Sequence, residues 1–150
     1  MDEYIIRETE DFYPLSVLFH ENGLGVAVEE RMPDRVIKMW RMDDPQTGDI
    51  MAAVTFEMRD GVHTLGDIAV RSDLQCKGYG KVMQNLVFEE ARKLGVREVW
   101  ACAKEPDYYV HSGWQRMPWD TSPDIAVYCS ICGKRGNICH PEKVRYTLED

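Results

Sequence analysis

The sequence predicts an α/β fold, a mixed and mostly antiparallel sheet flanked by helices, within one domain spanning residues 1–150. Three observations carry that expectation. Strand-like apolar runs alternate with runs whose apolar residues recur every three or four positions, as on a helix face. Short turn segments, "DDPQTGD" at 43–49 and "DG" at 60 and 61, join successive strand-like runs as hairpins, which makes neighbours antiparallel. A length of 150 residues, 44% hydrophobic and 29% charged, suits a single globular core.

Each element then follows in order. "YIIRE" near the start reads as a strand. From Asp11 to His20, Phe12, Leu15, Leu18 and Phe19 stand at helical spacing, and Gly23 and Gly25 supply a stop. "RVIKMWRM" (35–42) and "IMAAVTFEMR" (50–59) are β-rich runs, and "VHTLGDIAV" after the second turn is a strand ending at Val70. Beyond a glycine loop, Val82, Met83, Leu86, Val87, Ala91 and Leu94 form an apolar helix stripe that Gly95 ends. "VREVWACA" (96–103) reads as a buried strand, and "PDYYVHS" as a short helix between Pro106 and Gly113. The tail from Gln115 is less regular, with "VRYTLE" as a last strand.

Composition excludes several functions. A formal net charge of -8 argues against nucleic-acid binding, which needs many Lys and Arg contacts to phosphate, and favours a cationic partner. No stretch reaches the roughly 20 apolar residues of a membrane span, and "MDEYIIRETE" lacks the basic start and apolar run of a signal peptide, so a cytoplasmic location is expected. Five cysteines in such a setting are expected as thiols or metal ligands rather than disulfides.

The loop "LQCKGYGKVM" (74–83) carries the first chemical signal. A strand, a glycine turn and a helix in succession aim unpaired backbone N–H groups and the positive end of the helix dipole at one point, which suits an anion. Gly78 and Gly80 permit close approach, while Lys77 and Lys81 add charge, so a phosphate or pyrophosphate is the natural occupant. Neither standard nucleotide motif fits. Val82 stands where a P-loop needs Ser or Thr, and Met83 where a dinucleotide fold needs its third glycine.

The wider stretch "LGDIAVRSDLQCKGYGKVMQNLV" closely resembles the acetyl-CoA-binding motif of the GNAT superfamily of N-acetyltransferases. "DYYVHSGWQRM" resembles that family's second landmark, an aromatic-Tyr-x-x-x-Gly-aromatic run on a short helix. The match runs from about Leu65 to Met117, and the earlier elements agree in order. The resemblance implies central strands that splay at the loop. It also implies acetyl-CoA as cosubstrate, with the backbone of Ile68, Ala69 and Val70 pairing with the pantetheine arm. The amides of Gln75, Cys76, Lys77, Gly78, Tyr79, Gly80 and Lys81 would hold the pyrophosphate. It implies, too, that Tyr109 protonates the departing thiolate, although read alone Tyr109 is an ordinary core tyrosine with its hydroxyl at the surface. Cys102 or a neighbour stands where many members carry an Asn, a departure from the family pattern.

Direct attack on a thioester needs a neutral amine, hence a base. Asp67 and His63 share one face of the strand, and Glu29 and Glu30 lie in the segment that shapes the acceptor pocket in such proteins; a solvated acidic turn is the alternative for the two glutamates. Asp67 is the candidate carried forward. The acceptor is expected to be an amine, cationic given the acidic balance, and a homodimer is left open.

A second signal is "YCSICGKRGNICHPEK" (128–143), within a Cys-rich hairpin elaboration at about 125–143. Cys129, Cys132, Cys139 and His140 have the look of a zinc knuckle holding a structural Zn, with free thiols, a redox pair and an iron-sulfur centre as alternatives. Three functions therefore compete: an acetyl-CoA-dependent N-acetyltransferase, an acyl-CoA-binding sensor without turnover, and a zinc-ribbon-like interaction module.

Overall fold

The structure, a computed structural model, describes residues 3–104, 106–126 and 141–148. They cluster into two compact units, one formed by the chain up to Glu57 with Leu65–Val87, the other by Met58–Thr64 with the chain from Phe88 onward.

In the first unit, β1 (Ile5–Glu8) runs antiparallel to β2 (Val36–Asp43), with Ile5 opposite Asp43 and Glu8 opposite Trp40. Asp43 is buried there and accepts from Arg7 at 3.0 Å and from Arg41 Nε at 2.8 Å, which compensates its loss of water. Helix α1 (Phe12–Glu21) buries Phe12, Leu15, Leu18 and Phe19, the stripe its spacing predicts, and Gly23 ends it at φ 71°. β2 pairs antiparallel with β3 (Ile50–Arg59). β3 is buried without a break from Met51 to Glu57, so both its faces are covered and the two-residue alternation of a half-exposed strand is lost. β4 (Val62–Val70) leads through a single 3₁₀ turn (Ser72–Leu74) to α2 (Tyr79–Lys93).

In the second unit, Asp60 and Gly61 both take positive φ, 49° and 78°, which is the type I′ geometry the "DG" pair predicts. Thr64 pairs in parallel with Trp100 of β5 (Glu98–Ala103), and β5 pairs antiparallel with β7 (Glu142–Thr147). Helix α3 (Pro106–His111) precedes β6 (Gln115–Met117), which adds antiparallel to β7 with Gln115 opposite Arg145. The strand order is β1, β2, β3, β4, β5, β7, β6, mixed and mostly antiparallel as expected.

Three details differ from expectation. Leu94 is 53% exposed, because α2 ends at Lys93 and the amides of Gly95 and Val96 fold back onto Arg92 and Ala91; the buried stripe stops at Ala91. The hairpin reading of the tail implies a strand before the Cys-rich segment without saying where; it is β6, for "QRM" has no alternation and exists as a strand through its partner. β7 starts two residues early, at charged Glu142 and Lys143: Lys143 is 4% exposed, its Nζ donating to Trp119 O at 2.9 Å over the Trp119 ring, and Glu142 meets Arg116. The expected metal ligands Cys129, Cys132, Cys139 and His140 lie outside the described residues.

Candidate functional site

The loop between β4 and α2 is built to present backbone. After β4, the Arg71 amide donates to Met51 O at 2.8 Å and the Leu74 amide to Arg71 O at 2.8 Å, closing the 3₁₀ turn. Gln75 then staples the loop: its side-chain amide donates to Val70 O at 3.2 Å and to Asn22 Oδ1, at the end of α1, at 3.3 Å. Cys76 (φ 65°) and Gly78 (φ 90°) are left-handed on either side of Lys77. Such alternation turns successive N–H groups toward one concavity, and it holds a non-glycine residue where side chains are rarely found. The ladder of α2 begins with Val82 N–H to Gly78 O at 3.3 Å, so the amides before it precede the helical bonds.

Side chains in the loop divide by task. Gln75, Cys76, Lys77, Gly78 and Lys81 are exposed, whereas Tyr79 is buried with its ring edge-on to Tyr4 at 5.9 Å, an anchor at the helix start. Arg71 pairs with Asp73 at 2.7 Å. That hydrogen bond, with the charges of Arg71 and Lys77, holds the Asp73 carboxyl below the usual carboxylate range; the same hydrogen bond, with the negative charges of Asp73, Asp49 and Asp44, raises the Arg71 guanidinium. The positive charge facing solvent in the loop is thus that of Lys77 and Lys81. A polar cavity of about 470 Å³ lies beside the loop, lined by Arg71, Lys77 and Tyr79 against Glu3 and Asp44. It contains none of Ile68, Ala69 or Val70, so it is a neighbour of the expected pantetheine groove rather than the groove itself.

In the second unit, Tyr109 sits half-buried on α3, its ring edge-on to Trp114 at 5.3 Å. Trp114 is buried and packs with Phe88 and Tyr146, which themselves stack at 4.4 Å. Gly113 makes this possible. Its φ is 98°, and a Cβ there would stand 3.2 Å from Tyr146 Cε2. Tyr108, by contrast, is half exposed. The second landmark is therefore a tyrosine fixed by an aromatic cluster beside a glycine that cannot readily be replaced.

Comparison with known proteins gives the family. The Acetyltransferase (GNAT) family profile matches residues 4–117, three quarters of the chain. The chain belongs to the GNAT family. Its fold is also that of solved acetyltransferases. The N-acetylglutamate synthase of Neisseria gonorrhoeae, solved with coenzyme A and N-acetyl-glutamate, superposes with a TM-score of 0.71 at 15% identity over 99% of this chain. That match spans 36% of the synthase, so this GNAT chain is about a third of its length. A GNAT-family acetyltransferase of Staphylococcus aureus Mu50 gives 0.69 at 11% identity, covering 98% of this chain and 100% of its own. The ribosomal-protein-S18-alanine N-acetyltransferase of Escherichia coli gives 0.64 at 14%, covering 99% and 96%. No curated protein sequence matches.

Among the remaining expected site residues of this GNAT chain, Asp67 is 6% exposed on β4, His63 is half-buried, and Glu29 and Glu30 are exposed. The Glu29 backbone is pinned to α1 through both its amide and its carbonyl, each bonded to Ser16 Oγ. Among the described residues no three His, Cys, Asp or Glu side chains gather as a metal site, and no helix is long and apolar enough to cross a membrane.

Sequence reading missed a buried polar cluster in the first unit. Glu57 is 1% exposed; its Oε1 accepts from Arg35 Nε at 2.8 Å and its Oε2 from Thr55 Oγ1, while Thr55 Oγ1 accepts the Asp67 amide at 2.9 Å. A Cβ on Gly66 would overlap Glu57 Oε2 and Cδ and Thr55 Oγ1. The available signal was a glutamate inside the mostly apolar run "IMAAVTFEMR", on the same strand face as Thr55.

Proposed function

We propose that this chain transfers the acetyl group of acetyl-CoA to an amine-bearing, cationic acceptor by direct attack of the amine on the thioester. The observation that carries the reading is the loop Gln75–Lys81, whose left-handed Cys76 and Gly78 and helix start offer backbone N–H groups to a pyrophosphate. Ile68, Ala69 and Val70 supply strand backbone for the pantetheine arm. The acceptor amine gives its proton to Asp67 through water, a route its burial requires, and becomes the nucleophile. Attack places negative charge on the carbonyl oxygen, which a backbone amide near Val70 stabilises. Collapse of this tetrahedral intermediate breaks the carbon–sulfur bond; Tyr109 protonates the departing thiolate, and the extra proton on the acetylated nitrogen is lost through water and restores the Tyr109 phenol. The chain's charge of -8 supports a cationic acceptor.

Titration calorimetry with acetyl-CoA tests the donor site. Saturable binding by the natural protein, lost when Gly78 becomes Val, is the expected result; no binding by the natural protein sinks the reading. A screen of amines follows, with Tyr109→Phe expected to lower kcat by about 100-fold and Tyr108→Phe to leave it unchanged. One observation favours a second reading, an acyl-CoA sensor without turnover: Asp67 is nearly closed off from solvent. Binding without turnover on a broad amine panel would select it. The structural zinc proposed for Cys129, Cys132, Cys139 and His140 rests on spacing alone; metal analysis giving about one zinc per chain supports it and none overturns it.

A further inference from the structure

We propose that Glu57 is a positioning residue for the acetyl donor, acting through Thr55 to fix the backbone of β4 just ahead of the stretch where the pantetheine arm pairs. The inference rests on the proposed donor site. An amide within a strand ordinarily donates to a carbonyl of the neighbouring strand. The Asp67 amide donates to a side-chain hydroxyl, Thr55 Oγ1, at 2.9 Å. That hydroxyl has one proton, and the buried Glu57 carboxylate takes it, so its lone pair is left facing Asp67. Arg35 in turn holds the other oxygen of Glu57 at 2.8 Å. Donation in the chain Arg35, Glu57, Thr55, Asp67 amide therefore converges on the carboxylate from both sides, Arg35 giving to one oxygen and the Asp67 amide, through the Thr55 hydroxyl, toward the other.

Gly66 brings the strand against this charge. It immediately precedes Asp67, and the space a Cβ would occupy is filled by the Glu57 carboxylate and the Thr55 hydroxyl. A buried ion pair is poor value for stability alone, since apolar residues of the same volume often do as well. What it supplies here is a fixed orientation of one backbone amide, and Ile68, Ala69 and Val70 follow directly in sequence. A strand whose amides and carbonyls must meet an extended ligand arm gains from that restraint, because ligand pairing then needs no further ordering.

Two ligands separate positioning from general damage. Acetyl-CoA carries the pantetheine arm; 3′-phosphoadenosine 5′-diphosphate carries the nucleotide and pyrophosphate without it. For Thr55→Val we expect about tenfold weaker binding of acetyl-CoA, with the nucleotide bound within about twofold of the natural affinity. Thr55→Ser, which keeps the hydroxyl, restores acetyl-CoA binding. Amide hydrogen exchange reads the same bond without ligand: protection at Asp67 falls in Thr55→Val and returns in Thr55→Ser. Glu57→Gln, which removes the charge and keeps the shape, provides the same comparison if Thr55→Val fails to fold. Natural affinity for acetyl-CoA in these variants, or equal loss of both ligands, overturns the inference while the donor site stands. Binding of neither ligand by the natural protein removes the donor site itself, and the inference with it.

Discussion

The loop at Gln75–Lys81 and the carboxylate at Glu57 handle polar groups in opposite ways. The loop is exposed and leaves backbone donors ahead of a helix, its turn set by the left-handed Cys76 and Gly78 two positions apart, with Gln75 stapling it to Asn22. Glu57 is fully buried; Arg35, 22 residues before it, and Thr55, two before it, donate to it, and Gly66, nine after it, packs against the carboxylate. A site made of backbone can tolerate many side chains provided the left-handed positions are kept; a site made of one buried charge tolerates almost none, because every partner left behind is stranded away from water.

The largest expected effect tests that contrast on the buried side. Glu57→Ala leaves Arg35 without its carboxylate and Thr55 without its acceptor, and breaking such a pair typically costs about 3–5 kcal/mol, the lower end applying because the Arg35 side chain is 28% exposed. Gly66→Ala should cost about 1–3 kcal/mol through overpacking. The two are coupled. With Glu57 already truncated, most of the added methyl's obstruction is gone, so the double variant should be more stable than the sum of single losses predicts, by about 1 kcal/mol. Denaturant unfolding of the four proteins measures this, and simple additivity would show that Gly66 does not serve the carboxylate.

The same contrast explains what could be read in advance. Strand, turn and helix order was legible because each signal is local: the "DG" turn, the Phe12 to Phe19 stripe, the glycines that stop α1 and α2. The strand, turn and helix around the loop and the short helix between Pro106 and Gly113 were legible for the same reason, whereas the roles given to Gln75–Lys81 and Tyr109 came from the resemblance to a family and not from the residues read alone. The Arg35, Thr55, Glu57 and Gly66 cluster was not legible, because nothing in the chain says which arginine meets a lone strand glutamate until the strands are in register. The place of β6 and the charged start of β7 escaped for a related reason, their stability coming from a partner strand and from Trp119 rather than from their own residues.

A smaller effect sharpens the loop side. Cys76 takes φ 65° without being glycine, a conformation that costs a side-chain-bearing residue about 1–2 kcal/mol, whereas glycine adopts it freely at some cost in unfolded-chain entropy. Cys76→Gly should therefore stabilise the protein by about 0.5–1 kcal/mol and keep acetyl-CoA binding, since the thiol is exposed and the amide is what the ligand is expected to use. Lost affinity with intact folding would mean that the thiol itself takes part, and the division between backbone site and side-chain site would fail.

The smallest effect concerns the Arg71–Asp73 ion pair of the loop. Asp73 is more acidic in the folded chain than its ordinary value of 3.8, first because Arg71 donates a hydrogen bond to it and then because Arg71 and Lys77 are positive. A carboxyl that ionises more readily when folded stabilises the fold at every pH above its unfolded value, and that contribution disappears as pH falls through the lowered folded value. Natural protein and Asp73→Asn should consequently differ slightly in melting temperature at neutral pH, less in high salt, and converge in the acid range below the ordinary carboxylate value. Arg71, raised above its own ordinary value, stays charged throughout and adds no second transition. A difference that instead grew toward low pH would mean that Asp73 is protonated more easily when folded, and that Arg71 and Lys77 do not act on it as the loop geometry places them.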